Sequence, residues 1–498
     1  MCFASGDVRI AVKARFLRRD DHIFAAISTQ ERIKEERVNR KTVMGALAVF
    51  ALVVAACTSG GTATTAAPGT TAGPATTAAP ATTSAETTAA PATTAAAGEN
   101  PLADFDEDPT AADPALVEKA LGPVEPSDEA SWNIVLASIA RANQDLDQAT
   151  IDKAMECWAN QECDTGSGGD LVMGYADGGG NEVNVWRSVS HMEAILQALT
   201  YPEIGTIVST AANFDQDPAV HVNQLRFLIQ RGVDFIVGYP DVGALLAEAV
   251  REATAAGILY VPFSAGYVGL PDQEGAAIPG EDYLTVVGED LCALGESFAE
   301  VLNTGVGSGN VALLGGTPGN ALSLGWQRCT VSALSSDLSL VNPPANEDST
   351  TGDTSWFPPI IPDVFRGLLT TNPDISGYAY EYADGIWYGL PVYEELGIPV
   401  TNLTLALRTD EQNLFCDWAE RNDPTYNIFY SAGGNFQSRT GVTAAMMALK
   451  GAEIPPEVVV PHVMRQVTAE DCNPDRPNEA VSGTSLVPDN VLSLMFGG

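Results

Sequence analysis

The sequence predicts an α/β protein built on parallel sheets and divided into two lobes. Two observations carry this. From residue 171 onward, short apolar and β-branched runs alternate with amphipathic segments of helix length, the pattern of a parallel sheet covered by helices on both faces. The alternation stops near residue 262 and restarts near 284, and residues 166–498 are more than one hydrophobic core usually holds.

The first run of elements reads strand 171–175, helix 185–199, strand 204–208, helix 218–231, strand 235–238, helix 242–256 and strand 258–262. Gly257 ends a helix and is followed directly by Ile258, the usual punctuation between helix and strand. The second run begins with an extended segment at 284–287 and a helix at 291–302. It continues with strand 310–314, helix 320–334, helix 364–371, strand 375–380, helix 385–396, strand 403–407, helix 411–421 and strand 427–429. A helix at 439–450 and a strand at 458–462 close it. In such sheets a ligand sits beyond the carboxyl ends of the strands. The loops there, including 176–184, 210–218, 264–269, 315–319, 381–384 and 431–437, are rich in Gly, Ser, Asn or Asp.

Ahead of the lobes the chain changes character three times. Arg40 and Lys41 precede an uncharged run from Met44 to Ala56, closed by Val54-Ala55-Ala56-Cys57. That order is a secretory signal whose residue after the cleavage point is cysteine, as in bacterial lipoproteins. The run falls well short of the roughly 20 residues of a spanning helix. Residues 38–56 are therefore expected to be the signal peptide, Cys57 the lipidated N-terminus, and 1–37 a start called too early. Residues 57–99, nearly all Thr, Ala, Pro and Gly, have nothing large to bury and read as a semi-extended tether. Residues 100–165 read as an acidic extension with helices at 130–142 and 146–158. Asp104, Asp106 and Asp108 alternate there as in a calcium loop, but Pro109 stands where such a loop needs glycine.

The whole chain carries 64 Asp and Glu against 25 Lys and Arg, a net charge of −39. Removing residues 1–56, with 10 bases and 6 acids, leaves 58 acids against 15 bases and a net charge of −43. Nucleic acid is excluded as a partner by this balance, because phosphate binding needs a basic surface. No metal site is expected, since His191, His221 and His462 are isolated and no Cys-x-x-Cys occurs. Apart from Cys2 and Cys57 there are six cysteines, which suits disulfides in an exported protein. Six cysteines allow 15 pairings; nearness and lobe assignment favour Cys157–Cys163, Cys292–Cys329 and Cys416–Cys472. No catalytic constellation or cofactor fingerprint is present. Gly178-Gly179-Gly180 lacks dinucleotide spacing, and Ala321-Leu322-Ser323-Leu324-Gly325 lacks the first glycine of a nucleophile elbow.

Several segments together resemble the type 1 periplasmic binding proteins of the sugar-binding, ribose-like class. Leu228 to Pro240 is similar to that family's helix-to-strand element, and Ala249 to Ile258 to its next helix and turn. Asn310 to Asn320 looks like the strand and loop that open the second lobe. Asn372 to Gly377 and Ala448 to Gly451 complete the series. The resemblance implies two Rossmann-like lobes joined by a three-crossing hinge and closing on a solute. The first lobe would be 166–282 with 435–462, and the second 283–434 with 463–498.

The resemblance also implies site residues. Trp186 falls where the family places an aromatic that stacks on a sugar face, and Asn213 lies in the loop after the second strand. Ser264-Ala265 stands where the family has an Asp-Arg pair, and Trp326 or Arg328 near its ligand-clamping arginine. Asp384, in Ala383-Asp384, replaces its Asn-Asp. Asn435 and Gln437, amides on the last crossing, suit polyol recognition. These departures count against ribose itself. The expected function is capture of a small polar solute, a sugar above all, by a monomeric lipoprotein on the outer face of the membrane, which passes it to an ABC permease. The alternative is a sensor of the same fold that signals through a membrane partner.

Overall fold

The protein, as a computed structural model, is described over residues 100–126, 128–142, 145–177, 184–210, 217–431, 433–476 and 481–497. The expected signal, Cys57 and the tether lie outside the described residues, and so does Asn213.

Residues 100–165 hold helices α1 (Pro114–Leu121), α2 (Glu129–Ala142) and α3 (Gln148–Ala159), then a short strand β1 (Glu162–Asp164). Asp113 and Asp147 cap α1 and α3 by accepting hydrogen bonds from Ala115 N and Thr150 N. Next come β2 (Leu171–Asp177), α4 (Val185–Ala198), β3 (Ile204–Ser209), α5 (Pro218–Arg231), β4 (Phe235–Tyr239), α6 (Ala247–Ala255) and β5 (Leu259–Pro262). The first sheet runs in the order β1-β3-β2-β4-β5 and is parallel except for β1, which lies antiparallel on β3. The acidic extension is thus woven into this sheet as its edge.

The expected helix 242–256 is shorter than its apolar pattern. Gly243–Leu246 is a 3-10 turn, and the α-helix starts only at Ala247. Gly243 has φ +53°, and a Cβ there would stand 2.8 Å from the Gly319 carbonyl of the other lobe. Backbone approach between the lobes sets the start of this helix.

The second lobe opens with β6 (Val286–Gly288), followed by α7 (Leu291–Gly305), β7 (Gly309–Leu313), α8 (Ala321–Ala333) and β8 (Leu338–Leu340). It continues with α9 (Ile361–Thr371), β9 (Ile375–Tyr380), α10 (Ala383–Glu395), β10 (Leu403–Leu407), α11 (Gln412–Arg421) and β11 (Tyr426–Tyr430). The chain ends with α12 (Gln437–Leu449), β12 (Glu457–Val459), β13 (Arg465–Gln466) and α13 (Asp489–Phe496). The second sheet runs β13-β11-β10-β9-β7-β8, parallel except for the β13 edge. Among the described residues, β6, residues 433–436 and β12 pass between the lobes, and the tail after β13 returns to the first lobe. Two of them, β6 and β12, pair in parallel with Val287 opposite Val458.

α12 packs on α4 and α2 of the first lobe, where Ser138 and Thr440 share a hydrogen bond of 2.9 Å. The tail corrects the expectation that 463–498 lies wholly with the second lobe. β13 does join the second sheet, but Leu486 N and Val487 N donate to Glu193 of α4 at 2.7 and 3.1 Å. Glu193 is fully buried and also pairs with Arg439, so this carboxylate gathers α4, α12 and the tail around one charge. Disulfides join Cys157 to Cys163, Cys292 to Cys329 and Cys416 to Cys472. The last closes a 56-residue separation between α11 and the tail, the kind of loop for which a bridge contributes up to about 4 kcal/mol. Among the described residues no helix is long and apolar enough to cross a membrane.

Candidate functional site

Between the lobes lies a small cavity of about 30 Å³. The first lobe supplies Asn184, Trp186, Arg187, Tyr239 and Ser264; the second supplies Leu322, Trp356, Glu381, Tyr382, Arg408 and Thr409. Most of these follow from the strand ends. Tyr239 ends β4, Glu381 follows β9 and Arg408 follows β10, so each stands at the carboxyl edge of a parallel strand. Asn184 caps α4 by accepting from Arg187 N, which sets the first turn carrying Trp186 and Arg187 against the cleft.

The walls are aromatic. Trp186 stacks on Phe263 with centroids 6.2 Å apart and meets Tyr239 edge-on at 6.3 Å. Trp356 of the other lobe meets Tyr239 edge-on at 5.8 Å. Lobe-to-lobe hydrogen bonds close the ring, among them Asn184 Nδ2 donating to Trp356 O at 3.3 Å and Asn320 Nδ2 to Asp241 O at 2.9 Å.

The charges are buried and compensated. Arg187 donates to Asp177 and, at 2.6 Å, to Asp241. Burial alone would lower its basicity, but the two carboxylates outweigh that and hold the guanidinium above its ordinary range. Arg408 donates to Glu289 at 2.7 Å and to Ser264 Oγ at 2.9 Å, and Gln437 Nε2 supports Glu289 from behind at 2.9 Å. Glu381 accepts from Ser323 and, at 2.9 Å, from Trp326 Nε1. Burial pushes its carboxyl up to about 7 despite both hydrogen bonds. Behind Thr409, burial and then the neighbouring Asp384 push Glu411 up to about 8.

Two corners of the cleft are strained. Ser264 and Ala265 have φ +61° and +51°, and Ser355 and Trp356 have φ +51° and +47°. Four non-glycine residues in the left-handed region, one of them a tryptophan, cost about 1–3 kcal/mol each. They place Ser264 and the Trp356 ring on opposite walls of one cavity. Such outliers gather where a ligand is gripped.

A family model described as a periplasmic binding protein domain matches residues 182–396. Residues 182–396, somewhat under half of the chain, carry that match. The chain's two parallel sheets and the crossings between them are the type 1 form of that fold. Among solved structures it is similar to an ABC transporter solute-binding protein from Agrobacterium vitis bound with α-D-tagatopyranose. The two share 16% identity over 59% of this chain and 94% of that one, with a TM-score of 0.50. It is also similar to a galactofuranose-binding protein at 15% identity, over 59% and 94% of the two chains, with a TM-score of 0.50. No curated protein matches in sequence.

In this binding domain the structure sorts the expected site residues. Trp186 and Ser264 line the cavity. Trp326 does not. It is fully buried against Phe298 and reaches the site only by donating to Glu381. Arg328, two positions on and so on the opposite face of α8, lies outside the cleft and pairs with Asp272 and Asp348. Asp384 sits one layer back, accepting from Tyr382 OH at 3.0 Å and from Asn413. Asn435 holds α4, donating to Trp186 O at 2.7 Å and Ser190 Oγ at 3.0 Å. Gln437 reaches the site only through Glu289. Arg187, Tyr239, Trp356, Glu381, Arg408 and Thr409 went unread in the sequence. The strand-end rule could have found Glu381 and Arg408. Nothing in the 341–360 stretch signalled Trp356.

Proposed function

We propose that this protein is the extracytoplasmic solute-binding component of an ABC importer, and that it takes a small, neutral, polyhydroxylated solute such as a sugar or polyol. One observation carries the reading: the cleft offers aromatic faces together with charged groups already neutralised by buried partners. Rings pack against sugar C–H groups. Paired guanidinium and carboxyl groups keep spare donors and acceptors for hydroxyls, while an anion would face Asp177, Asp241, Glu289 and Glu381. The sugar in the Agrobacterium vitis neighbour, on the same fold, supports the same class.

At about 30 Å³ the cavity falls far below the roughly 300 Å³ of ordinary ligand pockets, so admission of the solute requires the lobes to part. Contacts made to both lobes at once then favour closure. Monomeric anchoring through lipidated Cys57, with delivery to a membrane permease, completes the proposal; fatty-acid label that persists in Cys57→Ser would remove the anchor. The test of the ligand class is a thermal-shift screen against sugars, polyols, amino acids, nucleosides and organic acids. Sugars or polyols should raise the melting temperature, and Trp356→Ala should weaken their binding by about 1–3 kcal/mol while folding is kept. Stabilisation by organic acids or amino acids alone would overturn the reading.

A further inference from the structure

A second cavity, of about 300 Å³, lies at the carboxyl ends of β10 and β11, against α1 and the tail. Its walls include Lys119 of α1, Asp410 after β10, Tyr430 of β11, Arg465 of β13 and Arg476 of the tail. The turn 408–410 separates it from the cleft: Arg408 and Thr409 face the cleft, and Asp410 faces this cavity.

The chain has few bases, yet three converge here from three distant segments, and the ion pair among them is the long contact of Arg476 with Asp489, 3.6 Å. Arg465 lies over the Tyr430 ring, 5.0 Å from its centroid, and its Nε and Nη2 are buried without a hydrogen-bond partner. The Arg476 side chain is 8% exposed. It spends two N–H groups on the Ser482 and Gly483 carbonyls at 3.0 and 3.4 Å. Its Nε is buried without a hydrogen bond, and the Asp489 carboxylate stands 3.6 Å away. Burial and the nearby Arg476 lower the basicity of Lys119, which places the two cations in each other's field. The wall also holds three acids, Asp410, Glu470 and Asp471, and two of them are partly occupied: Asp471 accepts from Tyr430 OH at 2.6 Å, and burial raises the carboxyl of Asp410 towards its neutral form. Buried guanidinium N–H groups left unbonded carry a desolvation cost that an acceptor removes.

We infer that this cavity is a binding site for a small oxyanion, held by the fork of Arg465 with Arg476 and Lys119, and distinct from the solute cleft. Guanidinium forks match the paired oxygens of phosphate, sulfate or carboxylate. The remaining acids in the wall restrict it to one compact anion rather than a polyanion. Such an anion ties α1, β13 and the tail together, and it stabilises the folded chain in proportion to its occupancy.

The test uses the whole protein and three probes, inorganic phosphate, sulfate and acetate, each against sodium chloride at matched ionic strength. At least one probe should raise the melting temperature saturably and give a calorimetric isotherm with one site. Arg465→Gln and Lys119→Gln should each weaken that binding about tenfold or more, while leaving sugar or polyol binding in place. Arg366→Gln, an exposed guanidinium on α9, should change nothing. Lys119 is partly exposed, so its variant keeps the test decisive if Arg465→Gln fails to fold. No saturable binding of any probe beyond chloride, or binding unchanged in Lys119→Gln and Arg465→Gln, would overturn the site.

Discussion

The two cavities on either side of the 408–410 turn handle charge in opposite ways. In the cleft every guanidinium is bracketed by carboxylates of the same chain, Arg187 by Asp177 and Asp241 and Arg408 by Glu289. In the outer cavity Arg465 and Arg476 keep buried N–H groups with no acceptor. A cleft that satisfies its own charges spends its recognition on shape, ring faces and hydroxyls. A cavity that leaves donors unbonded asks for a charged guest. Net charge, at −39, would not have separated the two; only local pairing does.

The strongest way to break this contrast is to make the cleft resemble the outer cavity. Glu289→Ala strands Arg408, which is 2% exposed, and takes the acceptor from Gln437. Removing one partner of a buried pair should cost about 3–5 kcal/mol of folding stability, read by chemical denaturation. A loss below about 1 kcal/mol would mean that Arg408 finds water and that the cleft is not sealed.

A middle-sized effect comes from Glu381. Its folded value, about 7, stands above its ordinary 4.5, so the folded state keeps a proton that the unfolded chain releases. The resulting stabilisation is complete below about pH 4.5 and is lost as the pH rises through about 7, by up to about 3 kcal/mol. Melting curves between pH 4.5 and 8 should therefore decline, and Glu381→Gln should flatten the decline. A slope identical in wild type and variant would place the titration elsewhere, with Glu411 the next candidate.

The smallest effect belongs to Arg328. Its side chain is 22% exposed, and its partners Asp272 and Asp348 are more exposed still. Arg328→Ala should cost no more than about 1 kcal/mol and leave solute affinity unchanged. A marked loss of affinity would restore it to the site.

The α/β architecture was legible because its signals are local: a β-branched run, a cap, a glycine at the helix end. The cleft was legible only in part. Trp186 came through resemblance, and the resemblance held no sign of Arg187 beside it. An arginine in a first helical turn reads the same whether it faces solvent or Asp177 and Asp241, which come from two separate strand ends. The loop 381–384 was found, but not its working member. Glu381, which follows β9 and faces the cavity, precedes the helix, whereas Asp384 lies in its first turn and faces Asn413 behind it. Trp326 and Arg328 failed for a related reason, since rotation about a helix axis is not written in residue type. Trp356 sits in a loop whose course depends on left-handed turns at Ser355 and Trp356, and no glycine marked them.

The hydrogen bonds that Asn184 and Asn320 make across the cleft have a consequence for time rather than affinity. On the proposed parting of the lobes, each of these bonds must break. They would therefore add to the barrier for that opening. At about 1 kcal/mol each, the pair would slow opening by more than tenfold. On the proposed mechanism they would lengthen the life of the closed state, and so the time a captured solute is held.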